Sequence, residues 1–168
     1  TNDSELVITN LVDTDNWQYS LDGGASWQQG SGDRLTPAGD GLLTVIVRQS
    51  VPSIGDVAQT SITYTIDRQA PAALSLSMVT DTGSSPADYV SQQGDFSVSG
   101  LETDAVWQYS TDGGQSWING TGSAFSITDD GDYSVQVRQI DVAGNISAVT
   151  SQLVTIDNAV AQPTLSLN

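Results

Sequence analysis

The sequence predicts an all-β protein, and three observations lead to this prediction. Apolar and polar residues alternate with a period of two, for example along the run 133–138, as expected for half-buried strands. Turn-forming Gly, Asp, Ser and Pro separate such runs at intervals of about ten residues. No stretch shows the 3.6-residue amphipathic pattern of a helix.

An internal repeat of 90 residues is the strongest signal in the chain. Three short motifs recur at this spacing: Trp-Gln-Tyr-Ser from Trp17 and Trp107, Val-Arg-Gln from Val47 and Val137, and Thr-Ile-Asp from Thr65 and Thr155. Residues 1–67 align with 91–157 without a gap, and 24 of the 67 pairs are identical. Regular self-similarity predicts one folded unit per repeat. We therefore expect repeat 1 at 1–68 without its first strand, a complete repeat 2 at 69–158, and the first strand of a third repeat at 159–168.

The strand count within repeat 2 predicts its architecture. Seven strands are expected near 73–79, 94–100, 106–111, 115–118, 123–128, 132–140 and 149–157. Seven short strands in about ninety residues are typical of an immunoglobulin-like Greek-key β-sandwich. With no cysteine to form a disulfide, Trp107 is the expected large anchor of the core. The six residues 68–73 span at most ~20 Å, so the tandem sandwiches are predicted to lie end to end.

Charge and composition exclude several classes of function. The chain has 18 Asp and 2 Glu against 4 Arg, with no Lys, His or Cys, and a net charge of −16. Such a surface repels nucleic acid and anionic membranes, so neither nucleic-acid binding nor membrane insertion is expected. No apolar run reaches transmembrane length and no signal peptide is visible, which predicts a soluble internal fragment. The excess of Asp over Glu has two interpretations that remain open, namely turn chemistry and binding of a hard cation such as calcium.

Two copies of the motif S-x-D-x-G-x-S-W begin at Ser20 and Ser110. The motif resembles the Asp-box hairpin of sialidase propellers, but four scattered arginines cannot supply a sialidase site. We interpret it as a structural turn in which Asp accepts turn amides and Gly adopts positive φ. No nucleophile and base pair is found, and the paired carboxylates lack an aromatic cleft, so the protein is not expected to be an enzyme.

The order of the strands places sequence-distant acids at the two ends of each sandwich. Repeat 2 carries two such loops, 141–145 with Asp141 and Asn145, and 81–88 with an Asp at each end. At the position of the first of these loops, repeat 1 has a different sequence, 51–56. Close carboxylates repel each other by about 1 kcal/mol at ~4 Å in water. A divalent cation bound between them would replace this repulsion by attraction. The predicted metal ligands are Asp67, Glu102, Asp104, Asp141 and Asn145 at one end, and Asp81, Asp88 and Asp157 at the other.

Four motifs together resemble a known family. They are T-I-D-x-x-A-P from Thr65, D-T-G-S-S-x-x-D from Asp81, W-Q-Y-S-x-D-G-G-x-S-W from Trp107, and Y-x-x-x-V-R-Q-x-D-x-A-G-N-x-S from Tyr133. The chain is similar to the bacterial immunoglobulin-like repeats of giant adhesins, including repeats-in-toxin biofilm and ice-binding adhesins exported by type I secretion. The resemblance implies a non-catalytic extender module at the bacterial cell surface. It also implies calcium as cofactor at repeat junctions, held by Asp residues such as Asp67, Asp81, Asp88, Asp141 and Asp157, with neighbouring repeats as partners.

An alternative function is a carbohydrate- or protein-binding adhesin module, which would need exposed aromatic residues on one face. The two tryptophans of each repeat are better explained by core and hairpin packing.

The missing first strand of repeat 1 predicts an open sheet edge. The end of the chain, 163–168, has the sequence of a first strand with no repeat to join. Unpaired edges recruit strands, so weak head-to-tail self-association is expected.

Overall fold

A computed structural model of the chain describes residues 1–14, 16–50 and 57–159. The chain forms two compact units, unit 1 at Thr1–Gln69 and unit 2 at Ala70–Asn168. The described residues form strands, turns and irregular segments with no helix, so the predicted all-β class is confirmed. The segment 51–56 and, apart from Ala159, the third-repeat strand predicted at 159–168 lie outside the described residues.

Unit 1 contains six described strands in two sheets. They are β1 (Leu6–Val7), β2 (Trp17–Ser20), β3 (Gln28–Gln29), β4 (Arg34–Leu35), β5 (Gly41–Ser50) and β6 (Val57–Ile66). One sheet has the order β3-β2-β5-β6 and the other pairs β1 with β4, all antiparallel. The fully buried core cluster is small and consists of Trp17, Leu35 and Val45.

Unit 2 contains eight described strands and a larger core. They are β7 (Ser75–Met78), β8 (Val90–Ser91), β9 (Gly94–Ser99), β10 (Val106–Ser110), β11 (Ile118–Asn119), β12 (Ala124–Ile127), β13 (Gly131–Ile140) and β14 (Thr150–Ile156). The sheets have the orders β11-β10-β13-β14-β8 and β12-β9-β7. Inward residues alternate along each strand, as Val135 and Val137 do on β13, because successive side chains in a strand point to opposite faces.

Strand β8 is absent from the seven strands that the sequence predicted. It runs parallel to β14, where the Thr155 amide donates to Tyr89 O at 2.9 Å and the Asp157 amide to Ser91 O at 3.0 Å. Two residues are too short for a period-two signal, so β8 could not be recognised from sequence. The predicted strand at 115–118 is observed later, at Ile118–Asn119, because Ser116 is used by the preceding turn.

One tryptophan in each unit anchors the core in the same way. The Trp107 indole is buried, donates from Nε1 to Gly122 O at 2.9 Å, and lies 6.1 Å from the Phe125 ring on the opposite sheet. Phe125 in turn stacks on Tyr109, with ring centroids 4.3 Å apart. Trp17 makes the equivalent 2.9 Å hydrogen bond to Gly32 O. The prediction of Trp107 as the inward anchor is confirmed.

A glycine makes room for this ring. A Cβ on Gly120 would lie 2.0 Å from the Trp107 ring, and one on Gly30 would lie 2.2 Å from the Trp17 ring. We predict that Gly120→Ala destabilises unit 2 by about 1–3 kcal/mol or more, because the buried ring must shift from its rotamer. Chemical denaturation followed by tryptophan fluorescence measures the loss. The neighbouring exposed Thr121→Ala is the control and should unfold as the wild type does; equal stability of both variants would contradict this role of Gly120.

Candidate metal site

The loop between β7 and β8 carries two of the predicted ligands, Asp81 and Asp88. The Tyr89 amide donates to Asp81 Oδ2 at 3.0 Å, and the Val90 amide donates to Asp88 Oδ1 at 3.2 Å. The two carboxylates therefore cap successive amides of one turn. Both side chains thus bond to the same short stretch of backbone, although they are seven positions apart in the sequence.

Buried contacts hold this loop in shape. The buried Ser91 hydroxyl donates to Thr80 O at 3.1 Å and accepts the amides of Thr82 and Gln93 at 3.2 and 3.1 Å. A Cβ on Gly83 would lie 2.3 Å from Val90 O, so the loop closes on itself only with glycine there. The sequence shows these residues only as small and polar, and Ser91 was not predicted to matter.

Asp81 Oδ1 is the buried oxygen that the loop leaves unsatisfied. It is the buried side-chain atom without a hydrogen-bond partner among the described residues. Leaving a buried acceptor unpaired costs about 1–3 kcal/mol, and more for a charged group. Calcium is bound in proteins by carboxylate and carbonyl oxygens, so the donor set of this loop fits that ion, with Asp81 and Asp88 as the residues that would hold it.

Asp88 also lines a depression to which an acid from elsewhere in the chain contributes. Asp88 and Asp132 line the same open depression, of about 480 Å³, together with Tyr89 and Thr155. The Thr155 hydroxyl donates to Asp132 Oδ1 at 2.7 Å. Unit 2 thus brings two sequence-distant carboxylates to one depression.

The loop 141–145 is closed by its own hydrogen bonds. Asn145 donates to both oxygens of Asp141, from its amide to Oδ1 and from Nδ2 to Oδ2, each at 2.8 Å. Burial raises the pKa of the Asp141 carboxyl, but hydrogen bonds from the Asn145 side chain and from the amides of Asn145, Gly144 and Ala143 outweigh it and lower the pKa overall. The Asp141 carboxylate is therefore ionised and already hydrogen-bonded within its own loop. Gly144, at φ +96°, makes the turn.

The remaining predicted ligands are exposed or cap local turns. The Glu102 amide donates to Gln139 Oε1 at 2.9 Å, and Asp104 has φ +63°; both residues are exposed. Asp67 Oδ1 accepts the Gln69 amide at 3.0 Å. Asp157 Oδ1 accepts the Ala159 amide at 3.4 Å.

Inside each unit, the described acidic residues do not form a cluster of three or more carboxylates. The eight metal ligands therefore stay a prediction. Three of them, Asp67, Asp88 and Asp157, each accept a hydrogen bond from the amide two residues ahead.

The two S-x-D-x-G-x-S-W motifs form the hairpin turns expected of them. In unit 2 the Ser110 hydroxyl donates to Asp112 Oδ1 at 2.7 Å and accepts the Gly114 amide at 2.8 Å. Ser116 donates to Asp112 from its amide at 3.0 Å and its hydroxyl at 2.5 Å. Trp117 closes the hairpin under Arg138, whose guanidinium carbon is 3.9 Å from the ring centroid.

The fold and its repeated sequence place the chain in a class, that of immunoglobulin-like β-sandwich modules. The sequence profile of the bacterial Ig-like domain family matches residues 69–158, and the chain belongs to this family. No curated protein matches the chain. The solved fibronectin(III)-like modules of Clostridium thermocellum CbhA are similar in fold, with a TM-score of 0.55 and 9% identity over 92% of this chain and 84% of that one. At this identity the likeness concerns the fold alone.

Two general properties accompany this family membership. Bacterial Ig-like domains are typically extracellular or at the cell surface, and folds of this class are generally non-catalytic. A helix able to cross a membrane is absent from 1–14, 16–50 and 57–159.

The hairpin carboxylates have an electrostatic signature that can be measured. The Ser116 hydroxyl, then the Ser116 amide and the Ser110 hydroxyl, hold the pKa of Asp112 well below its ordinary value. Because the folded state lowers this pKa, the hairpin hydrogen bonds stabilise the fold above the ordinary pKa. That stability is lost as the pH falls through the lowered one.

We predict that Ser116→Ala raises the pKa of Asp112 towards its ordinary value, because the strongest donor is removed. The measurement is an NMR titration of the carboxyl carbon. Asp22, which Ser26 and Ser20 hold in the same way, is the control inside the same molecule and should not move. An unchanged Asp112 titration would show that the hydroxyl does not stabilise the carboxylate.

Proposed function

We propose that this chain is a non-catalytic extender segment of a large bacterial surface adhesin, and that calcium rigidifies it at the repeat junctions. The observation that carries the proposal is the unsatisfied, buried Oδ1 of Asp81 in a loop whose donors fit calcium. The 90-residue repeat supports the extender role, because stacked modules that contact only their neighbours are suited to reach. The module acts in cell adhesion or biofilm formation, outside the cell after type I secretion.

The tryptophans argue for a spacer over a binding module. Trp17 and Trp107 are buried in the cores, while Trp27 and Trp117 lie under the guanidinium groups of Arg48 and Arg138 at 3.7 and 3.9 Å. All four tryptophans of the chain are therefore engaged internally. Carbohydrate recognition by stacking needs aromatic faces that are open to solvent.

We expect calcium to raise the melting temperature of unit 2. At a free calcium concentration ten times the dissociation constant, one site adds roughly 1.4 kcal/mol, and extracellular modules bind at about 10⁻⁴–10⁻³ M. A domain of this size then gains several degrees. Calorimetry in millimolar calcium and in chelator measures the shift.

A pair of variants assigns the shift to the loop. Asp81→Asn keeps the shape of the side chain and removes its charge, and it should abolish most of the calcium-dependent shift. Asp95→Asn is the matched control, because Asp95 lies in the same unit on β9 and accepts the Ser126 hydroxyl at 2.5 Å; it should keep the full shift. Superimposable melts of the wild type with and without calcium would refute a calcium site in this chain.

A separate prediction concerns the stiffness that calcium confers at Asp67. Small-angle scattering of the wild type should give a narrower distribution of particle dimensions in calcium than in chelator. Asp67→Ala should give the calcium-free distribution even in calcium, because a ligand has been removed. If the variant narrows as the wild type does, Asp67 serves the turn alone, through the Gln69 amide.

A further inference from the structure

Strand β11 ends at Asn119, and the next residue is Gly120. No other asparagine of the sequence precedes a glycine. In such a pair the backbone nitrogen of the glycine can attack the side-chain amide carbon of the asparagine, because glycine has no side chain to hinder the approach. The pair is therefore the place in the sequence where an asparagine is most reactive towards spontaneous loss of its side-chain amide.

The core of unit 2 requires this glycine. A Cβ on Gly120 would lie 2.0 Å from the ring of Trp107, which is buried. A side chain at this position, which would slow the attack, would also displace the ring. The reactivity of the pair therefore depends on which residue stands before the glycine.

Unit 1 keeps the same glycine but has a less reactive residue before it. A Cβ on Gly30 would lie 2.2 Å from the Trp17 ring, and Gly30 follows Gln29. Gln29 and Asn119 each end a two-residue strand and are both exposed. Attack on the longer glutamine side chain would have to close a six-membered ring, which forms more slowly than the five-membered ring from asparagine. Equivalent positions in the two units thus share their structure and differ in their chemistry.

The closed fold blocks the reaction at Asn119. The Gly120 amide, whose nitrogen must lose its proton to attack, donates to Trp107 O at 2.9 Å. Asn119 Oδ1 accepts a hydrogen bond from Gln108 Nε2 at 2.9 Å. Ring closure also needs the Asn119 Cβ and the Gly120 nitrogen on the same side of the Cα–C bond, and a strand residue with ψ of about +135° holds them apart. The reaction therefore requires β11 to leave its place in the sheet.

Strand β11 is suited to open before the rest of unit 2. It has two residues, both exposed, and it stands at the end of its sheet, where β10 is its partner among the described strands. Segments with few buried contacts open locally at a lower free energy than the whole domain. Such an opening frees the Gly120 nitrogen and lets the Asn119 backbone rotate.

We propose that Asn119 is a site of spontaneous deamidation, and that the separation of β11 from β10 controls its rate. The deprotonated Gly120 nitrogen forms a bond to Asn119 Cγ, the bond from Cγ to Nδ2 breaks, and the amide group leaves with a proton as ammonia. Water then adds to one of the two carbonyl carbons of the ring and breaks its bond to nitrogen. The product is aspartate or isoaspartate, and water is the one co-reactant.

The isoaspartate product alters the backbone beneath the buried ring. Its main chain passes through the side-chain carbons, so one more carbon separates Ile118 from Gly120. Gly120 lies against the Trp107 ring, and Gly122 O accepts the Trp107 Nε1 hydrogen bond at 2.9 Å. The added carbon therefore displaces the loop that holds the ring, and it weakens unit 2 without affecting unit 1.

Mass spectrometry of the full chain over time tests the proposal. Unfolding followed by trypsin gives the peptide 69–138, in which Asn119 is the only asparagine. The mass of this peptide should rise as the amide becomes an acid, and faster at higher pH, because the attacking nitrogen must lose its proton. In urea the rate should exceed the native rate by about tenfold or more, since opening no longer limits it. A constant mass in urea, or equal rates in both states, overturns the proposal.

Hydrogen exchange at the same nitrogen measures the opening independently. The protection factor of the Gly120 amide should match the ratio of the deamidation rates in the unfolded and native chains. A disagreement of more than about tenfold would show that another motion controls the reaction.

Exchanging the two residues between the units isolates the chemistry from the structure. Asn119→Gln copies unit 1 and should abolish the mass change of the peptide 69–138. Gln29→Asn should create a second reactive pair, detected in the peptide 1–34 by fragmentation at residue 29. If Gln29→Asn stays unmodified in urea while Asn119 reacts, the pair with glycine is not what makes Asn119 reactive, and the proposal fails.

A further variant separates the new charge from the altered backbone. Asn119→Asp carries the charge on an ordinary main chain and should melt as the wild type does. The isoaspartate fraction of the aged chain, isolated by chromatography, should show a melting temperature of unit 2 lower by about 4 °C or more. Identical melting of the isoaspartate fraction and Asn119→Asp would refute the predicted effect on the Trp107 ring.

Discussion

Each sandwich depends on burying one indole ring between its two sheets. Trp107 stands on β10 in one sheet and meets Phe125 on β12 in the other, and its Nε1 finds an acceptor in Gly122 O. A buried polar group without a partner would be costly. The position of the ring therefore requires both the loop that supplies the carbonyl and the glycine that leaves space for the ring. Trp17, Gly32 and Gly30 repeat this arrangement, which does in a chain without cysteine what a disulfide does in many small sandwiches.

The acidic residues differ in the hydrogen bonds that their carboxylates accept. Most of those discussed above terminate or shape turns, because a carboxylate accepts the amide two or four residues ahead, as Asp88 and Asp112 do. Asp81 differs, because one of its oxygens is buried without a donor. Turn chemistry therefore explains most of these Asp residues, while calcium binding stays a prediction, with Asp81 as its candidate ligand.

Local signals in the sequence predict the fold well and the candidate site only in part. Alternation along β13 and the Ser110–Trp117 motif each depend on neighbours in sequence, so the strand and the hairpin could be predicted. The roles of Gln139 and Ser91 could not, because each bonds segments that are distant in sequence and neither residue type signals burial. The contacts of each carboxylate could not be predicted either, because a strand order gives the end of the sandwich at which a residue lies, but not the direction of its side chain.

The four arginines have a consequence for how such a chain survives outside a cell. Arg34 pairs with Glu5, Arg68 with Asp40, and Arg48 and Arg138 bond Gln18 and Gln108 while covering the tryptophans. With no lysine, these are the only positions in the chain after which a trypsin-like protease can cut. Arg48 and Arg138 lie within ten-residue strands, so cleavage there requires local unfolding first and follows the population of that opened state. Cleavage after Arg48 and Arg138 thus measures folding stability, whereas Arg34 and Arg68 are exposed and lie outside the long strands.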